Sequence, residues 1–405
     1  MINTKLFLKD YIKLKDFEIR KRKELSKKFE KILLEVKNEI KKNNKTLNIL
    51  NKKYKFNFKI KDLEKFKKFK KIALIGMGGS ILGSESIYNF FKKKIKKKVY
   101  FFNDLDEEKV TNFKKNQNLS KILFIIISKS GNTVETLSNV FSLNVIKKNS
   151  SNVILISERK SNLLYDLSKK LNLFYIEHKS HVGGRYSVLS EVGMVPAYLM
   201  GINIFKIREK ILDFLNKKNK DTLKNSTIKL ACLMQSRKFN NLIFLNYSPE
   251  LKKFLYWCQQ LIAESLGKKN KGFLPMISNV PKDHHSLLQL YLDGPKDKIF
   301  NIFSYEKKQK EKIKLHKSIL TNKFLHKKNL SKVKSAQINA LKKAFIKNKI
   351  PFRDFKIKSN NEIILGKLFS LFIIETVIIG KLLNINPYDQ PAVEQVKIYT
   401  KDYLN

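Results

Sequence analysis

Arginine and cysteine are scarce in this chain of 405 residues, and each scarcity limits its chemistry. The two cysteines, Cys232 and Cys258, cannot build a disulfide framework and match no metal-ligand spacing, so we expect reduced thiols and a cytoplasmic location. Only seven of the 84 basic residues are arginine. An arginine in such a chain therefore indicates a position that needs the planar, five-donor guanidinium, which lysine cannot imitate.

Long apolar segments are also lacking. The first ten residues include Lys5, Lys9 and Asp10 and no apolar core, which argues against a secretory signal. Near the other end, the apolar run from Leu368 to Ile374 has seven residues, whereas a bilayer span needs about 20. We therefore expect a protein that does not cross a membrane.

Acidic residues number 35 against 84 basic ones, so the formal net charge is +49. Such a charge would ordinarily suggest a nucleic acid or an anionic membrane as partner. The lysines are spread over the whole chain, however, and the dense runs at 92–98 and 307–314 are not interleaved with aromatic residues that stack on single strands. We interpret the lysines as solvated surface and expect no nucleic-acid partner.

The apolar pattern changes its period along the chain. Residues 1–50 have apolar positions at helical spacing, which predicts an N-terminal helical segment. Short continuous apolar runs then alternate with helical segments, as in strands of a parallel sheet that is covered on both faces. These runs are residues 72–75, 122–127, 153–156, 173–176, 242–245 and 299–303.

This alternation predicts an α/β fold with two doubly wound domains, each with a central, mostly parallel sheet flanked by helices. We place the first domain at residues 51–205 and the second at residues 206–385. Residues 386–405 would form a C-terminal turn and helix that close the active site. The boundary between the domains falls in a polar region that no proline- or glycine-rich linker marks.

Two loops follow buried strands, at 76–80 and from Ser128 to Thr133. In open α/β sheets, ligands bind beyond the carboxyl ends of the strands, where helix N-termini present amides to anions. The hydroxyls of Ser128, Ser130 and Thr133 could together hold one small dianion such as a phosphate. The alternatives are a glycine turn that serves packing or a nucleotide, and a threonine that only caps the next helix.

One of the rare arginines, Arg185, follows a pair of glycines. Gly183 and Gly184 allow the backbone to approach a ligand closely, and the guanidinium beside them suits an anion. The alternative is a turn with an incidental salt bridge.

A carboxylate and an ammonium lie beside apolar helix faces. Glu264 comes three residues after Leu261 and seven after Trp257, next to the apolar stripe of a predicted helix. A carboxylate at this position is paired, faces a ligand or lies in a desolvated pocket, and the last is how proteins make a general base. The alternative is an exposed residue at the edge of the stripe. Lys397 shares a helix face with Val396, so its ammonium points inward unless its long stem carries it out to solvent.

His284 and His285 are adjacent in a chain with six histidines. Neighbouring side chains diverge, so we do not expect one metal ion to use both, and we predict no metal site. A single histidine in a pocket could move a proton near neutral pH. The alternative is a structural or exposed pair.

Taken in this order, six motifs resemble those of the glucose-6-phosphate isomerase family, which has a two-domain sugar-isomerase fold. The resemblance extends from about Ile72 to Lys397, most of the chain. Its most specific parts are Gly-Gly-Arg-Tyr-Ser and the segment from Asp389 to Lys397. The six motifs are residues 76–83, 128–136, 183–187, 260–268, 283–289 and 386–397.

The resemblance implies reversible aldose–ketose isomerisation of glucose 6-phosphate and fructose 6-phosphate, a step of glycolysis and gluconeogenesis, without a metal or cofactor. It places the proton-transferring glutamate at Glu264, acting through a cis-enediol intermediate. The ring-opening histidine would be His285, assisted by Lys397. Arg185 would stabilise the charge that develops on the enediolate.

The resemblance also implies a phosphate site and a homodimer in which His285 reaches the neighbouring subunit. Two residues depart from the family pattern, because His284 replaces the usual glutamine and Val396 the usual glycine. The implied substrate-binding residues are Gly79, Ser80, Ser128, Lys129, Ser130, Thr133 and Gln390.

Two rival functions use the same loops. One is a sugar isomerase of broader specificity that also accepts mannose 6-phosphate. The other is a non-catalytic sugar-phosphate sensor, which should carry an added DNA-binding domain and could dispense with Glu264. The joint presence of the 283–286 and 388–397 segments favours the dedicated isomerase, and no added domain is visible in the sequence.

Overall fold

The computed structural model describes residues 6–14, 16–306, 311–314 and 324–404, so part of the basic run at 307–314 lies outside it. Strands and helices alternate through most of the chain, which confirms the predicted α/β class. The strands are β1 (Leu6–Asp10), β2 (Lys71–Ile75), β3 (Lys98–Phe102), β4 (Ile122–Ile127), β5 (Val153–Ser157), β6 (Phe174–Glu177), β7 (Asn241–Asn246), β8 (Leu274–Asn279), β9 (Lys298–Tyr305) and β10 (Phe352–Ile357).

The helices cover the sheets and connect the strands. They are α1 (Asp16–Lys41), α2 (Ile60–Glu64), α3 (Leu82–Phe91), α4 (Glu107–Asn116), α5 (Val134–Leu143), α6 (Leu163–Lys170), α7 (Glu191–Leu199), α8 (Ile204–Arg208), α9 (Lys217–Ser236), α10 (Lys252–Leu266), α11 (His284–Leu292), α12 (Leu330–Lys347), α13 (Glu362–Leu382) and α14 (Glu394–Asp402). Short 3₁₀ turns at Gly78–Ser80 and Gly184–Leu189 contribute to the site described below.

The strands form two five-stranded sheets. The first has the order β3-β2-β4-β5-β6 and is parallel throughout. The six residues of β4 are all buried, as expected for a central strand with helices on both faces. The second has the order β1-β10-β9-β7-β8, and its strands are parallel except for β1.

Strand β1 differs from the helical pattern expected for the first fifty residues. Residues 6–10 pair antiparallel with β10, so the N-terminal segment completes the edge of the second sheet before α1 begins. Five residues are too few for their apolar period to distinguish a strand from a helix. The pairing partner lies more than 340 residues away in sequence, so only the tertiary structure reveals it.

Helix α13 is the apolar centre of the second half. The apolar run noted in the sequence belongs to this helix of 21 residues, which is long and apolar enough to cross a membrane. However, 94% of its most apolar window is buried inside the protein, where it packs against α1, α8, α9 and α10. It is therefore a core helix in this fold.

A buried ion pair ties this helix to the second sheet. Arg353 on β10 is fully buried, and its Nη1 donates to Oε1 of Glu375 on α13 at 2.7 Å. The same guanidinium donates to Ser226 Oγ on α9 at 2.7 Å and to Asn301 Oδ1 on β9 at 2.9 Å. A buried charge is tolerated only with such partners, so this arginine connects four elements of the core.

We predict that Arg353→Met destabilises the protein by about 3–5 kcal/mol, because it leaves the Glu375 carboxylate buried without its cation. The midpoint of urea-induced unfolding measures the change. As a matched control, Lys21→Met removes one partner of the exposed Lys21–Glu24 pair on α1 and should cost less than about 1 kcal/mol. Equal midpoints for the two variants would contradict the importance of the buried pair.

Candidate active site

The candidate site lies where loops at the carboxyl ends of the first sheet meet helix α10 of the second half. The turn at Gly78–Ser80 follows β2 and packs directly on the turn at Gly184–Leu189. Both turns contact α10. Ser187 Oγ, in the second turn, donates to the carbonyl oxygen of Gly79 in the first at 3.3 Å.

Glycine is required where the two turns touch. A Cβ atom on Gly79 would overlap the backbone of Gly184, so the turns could not pack as they do. Gly78 has a positive φ of 51°, and a Cβ there would lie 2.7 Å from Nε2 of Gln260 on α10. The glycines of the two motifs therefore allow backbone to approach backbone.

Arg185 is the centre of the site. Its side chain is buried, and each of its three nitrogens is engaged. The hydrogen bonds run from Nε to Ser265 Oγ (2.8 Å), from Nη1 to Glu264 Oε2 (3.2 Å) and Gln390 Oε1 (2.6 Å), and from Nη2 to the carbonyl oxygens of Pro387 (2.7 Å) and Asp389 (3.0 Å). These five bonds use all the donors of the guanidinium, which explains why an arginine stands here in a lysine-rich chain.

The carboxylate of Glu264 is held at both oxygens. Oε2 accepts from Arg185, and Oε1 accepts from Nε2 of Gln260 at 2.9 Å. The side chain remains 32% exposed, so it is neither sealed in the core nor free in solvent. Gln260 is a site residue that was not predicted, although it lies four residues before Glu264 on the same face of α10.

The C-terminal turn is fixed to the same cluster. Tyr186 Oη donates to the carbonyl oxygen of Pro387 at 2.8 Å, beside the bond from Arg185. Lys268 Nζ lies 2.6 Å from Oδ1 of Asp389, and this ammonium lowers the pKa of the Asp389 carboxyl group. The turn thereby brings Gln390, one of the residues selected from sequence, into contact with Arg185.

The hydroxyl loop after β4 has its side chains turned toward each other. Ser128 Oγ lies 2.8 Å from Thr133 Oγ1, and Ser130 Oγ lies 3.4 Å from the same atom. Thr133 occupies the N-cap position of α5, but its hydroxyl makes no capping bond to the helix. The amides at the start of α5 and three clustered hydroxyls are therefore placed where an anion could bind.

Lys129 extends away from these hydroxyls. Its Nζ donates to the carbonyl oxygen of Ser180 at 2.8 Å and lies 3.5 Å from Glu158. Burial lowers the pKa of this ammonium group, whereas Glu158 acts in the opposite direction. Lys129 therefore contributes its backbone to the hydroxyl loop, whereas its ammonium group lies at Ser180 and Glu158.

Two of the predicted catalytic residues do not join the cluster in the single chain. His285 is exposed on α11 and makes no side-chain hydrogen bond or ion pair within the described ranges. Lys397 is 61% exposed on α14 and pairs with Glu394 at 2.7 Å. The expected inward face of α14 is uncovered, because Val396 is 67% exposed and no residue of that helix is buried.

Sequence comparison decides the family. The profile described as phosphoglucose isomerase matches residues 26–404, nearly the entire chain. The chain belongs to the phosphoglucose isomerase family.

Relatives share about a third of their residues with this chain, and the similarity extends over most of it. A probable glucose-6-phosphate isomerase of Methanococcus maripaludis is 35% identical over 82% of this chain and 78% of its own length. A glucose-6-phosphate isomerase of Methanocaldococcus jannaschii is 34% identical over 83% of this chain and 85% of its own. The solved structure of a glucose-6-phosphate isomerase from Chlamydia trachomatis superposes with a TM-score of 0.72 at 19% identity, over 85% of this chain and 71% of its own, and shows that the fold is shared.

His284, which the sequence analysis noted as a departure from the family pattern, contacts a buried tyrosine. His284, at the start of α11, places its Nε2 3.0 Å from the hydroxyl of the buried Tyr247, and the two rings meet edge to face. Burial and the neighbouring His285 lower the pKa of His284. A neutral His284 can accept a hydrogen bond from the Tyr247 hydroxyl, and this bond links the start of α11, the helix that carries His285, to the buried tyrosine.

We predict that Gly79→Ala lowers the melting temperature by about 5 °C or more, because the added methyl group forces apart the two turns of the site. Differential scanning calorimetry measures the shift. The matched control is Gly184→Ala, whose Cβ would approach nothing nearer than Gly79 Cα at 4.0 Å, so its melting temperature should stay within about 2 °C of wild type. A Gly79→Ala protein that melts with the wild type would show that the turns do not need this contact.

Proposed function

We propose that this chain interconverts glucose 6-phosphate and fructose 6-phosphate, using Glu264 as the proton-transferring base. The observation that carries the proposal is the partly exposed carboxylate of Glu264, held between Arg185 and Gln260. Membership of the phosphoglucose isomerase family and similarity to the two glucose-6-phosphate isomerase relatives support it. The reaction is a step of glycolysis and gluconeogenesis.

The proposed chemistry is a proton transfer on the open-chain sugar. Glu264 removes the proton from C2 of the aldose, and the C2–H electron pair forms the C1–C2 double bond of a cis-enediol as the carbonyl oxygen takes up a proton. Return of a proton from Glu264 to C1, with loss of the hydroxyl proton at C2, completes the ketose. No atom is gained or lost, and the step needs only a base near the carbon-bound proton and donors near the oxygens.

Arg185 would both orient the base and stabilise the charge of the intermediate. It sets the orientation of Glu264 through the 3.2 Å contact and places fixed positive charge where an enediolate would form. Because all its donors are already engaged within the protein, it is preorganised and does not have to reorient during the reaction.

The phosphate of the substrate would bind at the hydroxyl loop. Ser128, Ser130 and Thr133 supply hydroxyl donors, and the amides at the start of α5 add a favourable dipole. Gly79, Ser80, the backbone of Lys129 and Gln390 would complete substrate binding. With its phosphate bound in this way, the substrate would place its carbon chain beside Glu264.

We propose that a second copy of the chain supplies His285 for ring opening. Within the described residues, His285 is exposed and makes no side-chain bond to the cluster, so it would reach a sugar beside Glu264 only from the partner. Apolar residues nearby are also exposed, with Leu274 (60%) and Met276 (47%) on the edge strand β8 and Leu290 (45%) on α11. A homodimer would cover this edge and these residues.

We propose that the homodimer also covers helix α14. Val396, Ile398 and Tyr399 are each more than half exposed, so α14 presents apolar side chains to solvent. Packing of this helix in the dimer would bring Lys397 toward the sugar oxygens, where it would assist His285. We also propose a cytoplasmic location, and no nucleic-acid partner is needed for this function.

We predict that Glu264→Gln lowers kcat for the conversion of fructose 6-phosphate to glucose 6-phosphate by about 10²–10⁴-fold, because the amide keeps the shape but cannot accept a proton. A coupled dehydrogenase assay in excess chelator measures the rate. The wild-type enzyme should keep its activity under those conditions.

The control for this experiment is Glu107→Gln, which makes the same change at an exposed residue of α4 and should leave kcat unaltered. Full activity of Glu264→Gln would overturn the choice of base. Binding of fructose 6-phosphate by the wild type without any conversion would favour a sugar-phosphate sensor. Comparable turnover of mannose 6-phosphate would favour the isomerase of broader specificity.

We predict that two inactive variants restore activity when they are mixed. If His285 acts in the partner's site, a heterodimer of Glu264→Gln and His285→Ala chains has one site with both native residues. Unfolding and refolding of an equal mixture should therefore recover about a quarter of the wild-type rate, because half of the dimers are mixed and each has one intact site.

The same refolding of each variant alone is the control and should recover no activity. Absence of rescue in the mixture, with dimers confirmed by light scattering, would show that Glu264 and His285 act within one chain. A monomeric wild-type enzyme with full activity would overturn the shared site altogether.

A further inference from the structure

A separate cavity of about 410 Å³ lies at the amino ends of β7, β9 and β10. It is bounded by the loops that follow α9, α11 and α12 and shares no lining residue with the catalytic cluster. Its volume is within the range of small-molecule sites. Thirteen residues line it: Lys13, Leu233, Lys238, Phe239, Tyr291, Pro295, Lys296, Lys298, Phe300, Asn348, Lys349, Ile350 and Pro351.

Positive charge is concentrated around this cavity. Five of its lining residues are lysine and none is acidic, although the whole chain has 35 acidic residues. Two of these lysines bond to groups of the protein itself. Lys296 Nζ donates to the carbonyl oxygen of Leu292 in the last turn of α11, and Lys298 Nζ donates to Pro295 at 3.0 Å and to Asp297 at 2.6 Å.

The other three lysines have no such role. Lys13, Lys238 and Lys349 are exposed, come from three separate segments, and make no ion pair or side-chain hydrogen bond in the part of the chain that the structure describes. Like charges that converge on one concavity repel each other, so an anion with more than one negative charge would be stabilised among them.

The floor of the cavity is apolar. Leu233, Phe300 and Ile350 are buried, and Phe239, which also lines the cavity, is half-buried. A sugar phosphate, with hydroxyl groups all around, would find few partners here. Asn348 is a polar residue of the lining. Its Nδ2 donates to the carbonyl oxygen of Ala344 at 2.9 Å, so its Oδ1 is left as an acceptor for a ligand.

We propose that this cavity binds a purine nucleotide. The flat base would lie against Phe239 within reach of Asn348 Oδ1, and the phosphates would lie among Lys13, Lys238 and Lys349. This ligand class combines the three properties that the cavity selects: a planar apolar body, a hydrogen-bond donor at its edge and several negative charges. The proposal does not depend on the isomerase reaction.

Isothermal titration calorimetry with ATP in excess chelator tests the proposal. Saturating fructose 6-phosphate is included so that the phosphate loop of the first sheet is occupied. We expect binding to the wild-type protein, and at least tenfold weaker binding to the Lys238→Gln/Lys349→Gln double variant. The matched control, Lys147→Gln/Lys148→Gln, removes the same charge from exposed residues of the first half and should bind ATP as the wild type does.

The role of the floor is tested separately with Phe239→Ala and with inorganic triphosphate. We expect triphosphate to bind more weakly than ATP, and Phe239→Ala to lose most of that difference. Equal weakening in both double-lysine variants, or triphosphate binding as tightly as ATP, would show only general attraction of polyanions and overturn the proposal. Absence of ATP binding at millimolar concentration would overturn it as well, whatever the isomerase activity.

Discussion

The arrangement of the site depends on one buried guanidinium. Arg185 bonds to Ser265 and Glu264 of α10 and to Pro387, Asp389 and Gln390 of the C-terminal turn, so three distant parts of the chain meet at its side chain. Burying a cation is costly unless its donors are satisfied, and all five donors of Arg185 are. The same bonds that make its burial tolerable therefore set the position of the carboxylate and of the turn.

Close backbone packing gives that guanidinium its place. The turns at Gly78–Ser80 and Gly184–Leu189 can touch because Gly79 has no side chain, and α10 lies across both. The parallel order of the first sheet brings the glycine turn after β2 and the hydroxyl loop after β4 to the same edge. The sheet topology thus places the glycine turn, which contacts α10, beside the hydroxyl loop.

Much of this was predictable from the sequence. Continuous apolar runs indicated the parallel strands, and the loops that follow them indicated where a phosphate could bind. The scarcity of arginine singled out Arg185, whose five guanidinium donors all bond within the protein. The pattern could not reveal strand β1, because a five-residue segment has too little periodicity, nor the bond between Gln260 and Glu264, because two polar residues on one helix face do not show which groups they meet.

The α/β class, the chemical groups available and their order could be predicted from the sequence alone, since strand periodicity and motif composition are local properties. Which of those groups meet depends on the folded structure. It joined Arg185, Glu264 and Gln390, left His285 and Lys397 outside the cluster of the single chain, and gathered lysines from three segments around a second cavity. The physical reason is that side-chain contacts depend on packing between segments hundreds of residues apart, which no local pattern records.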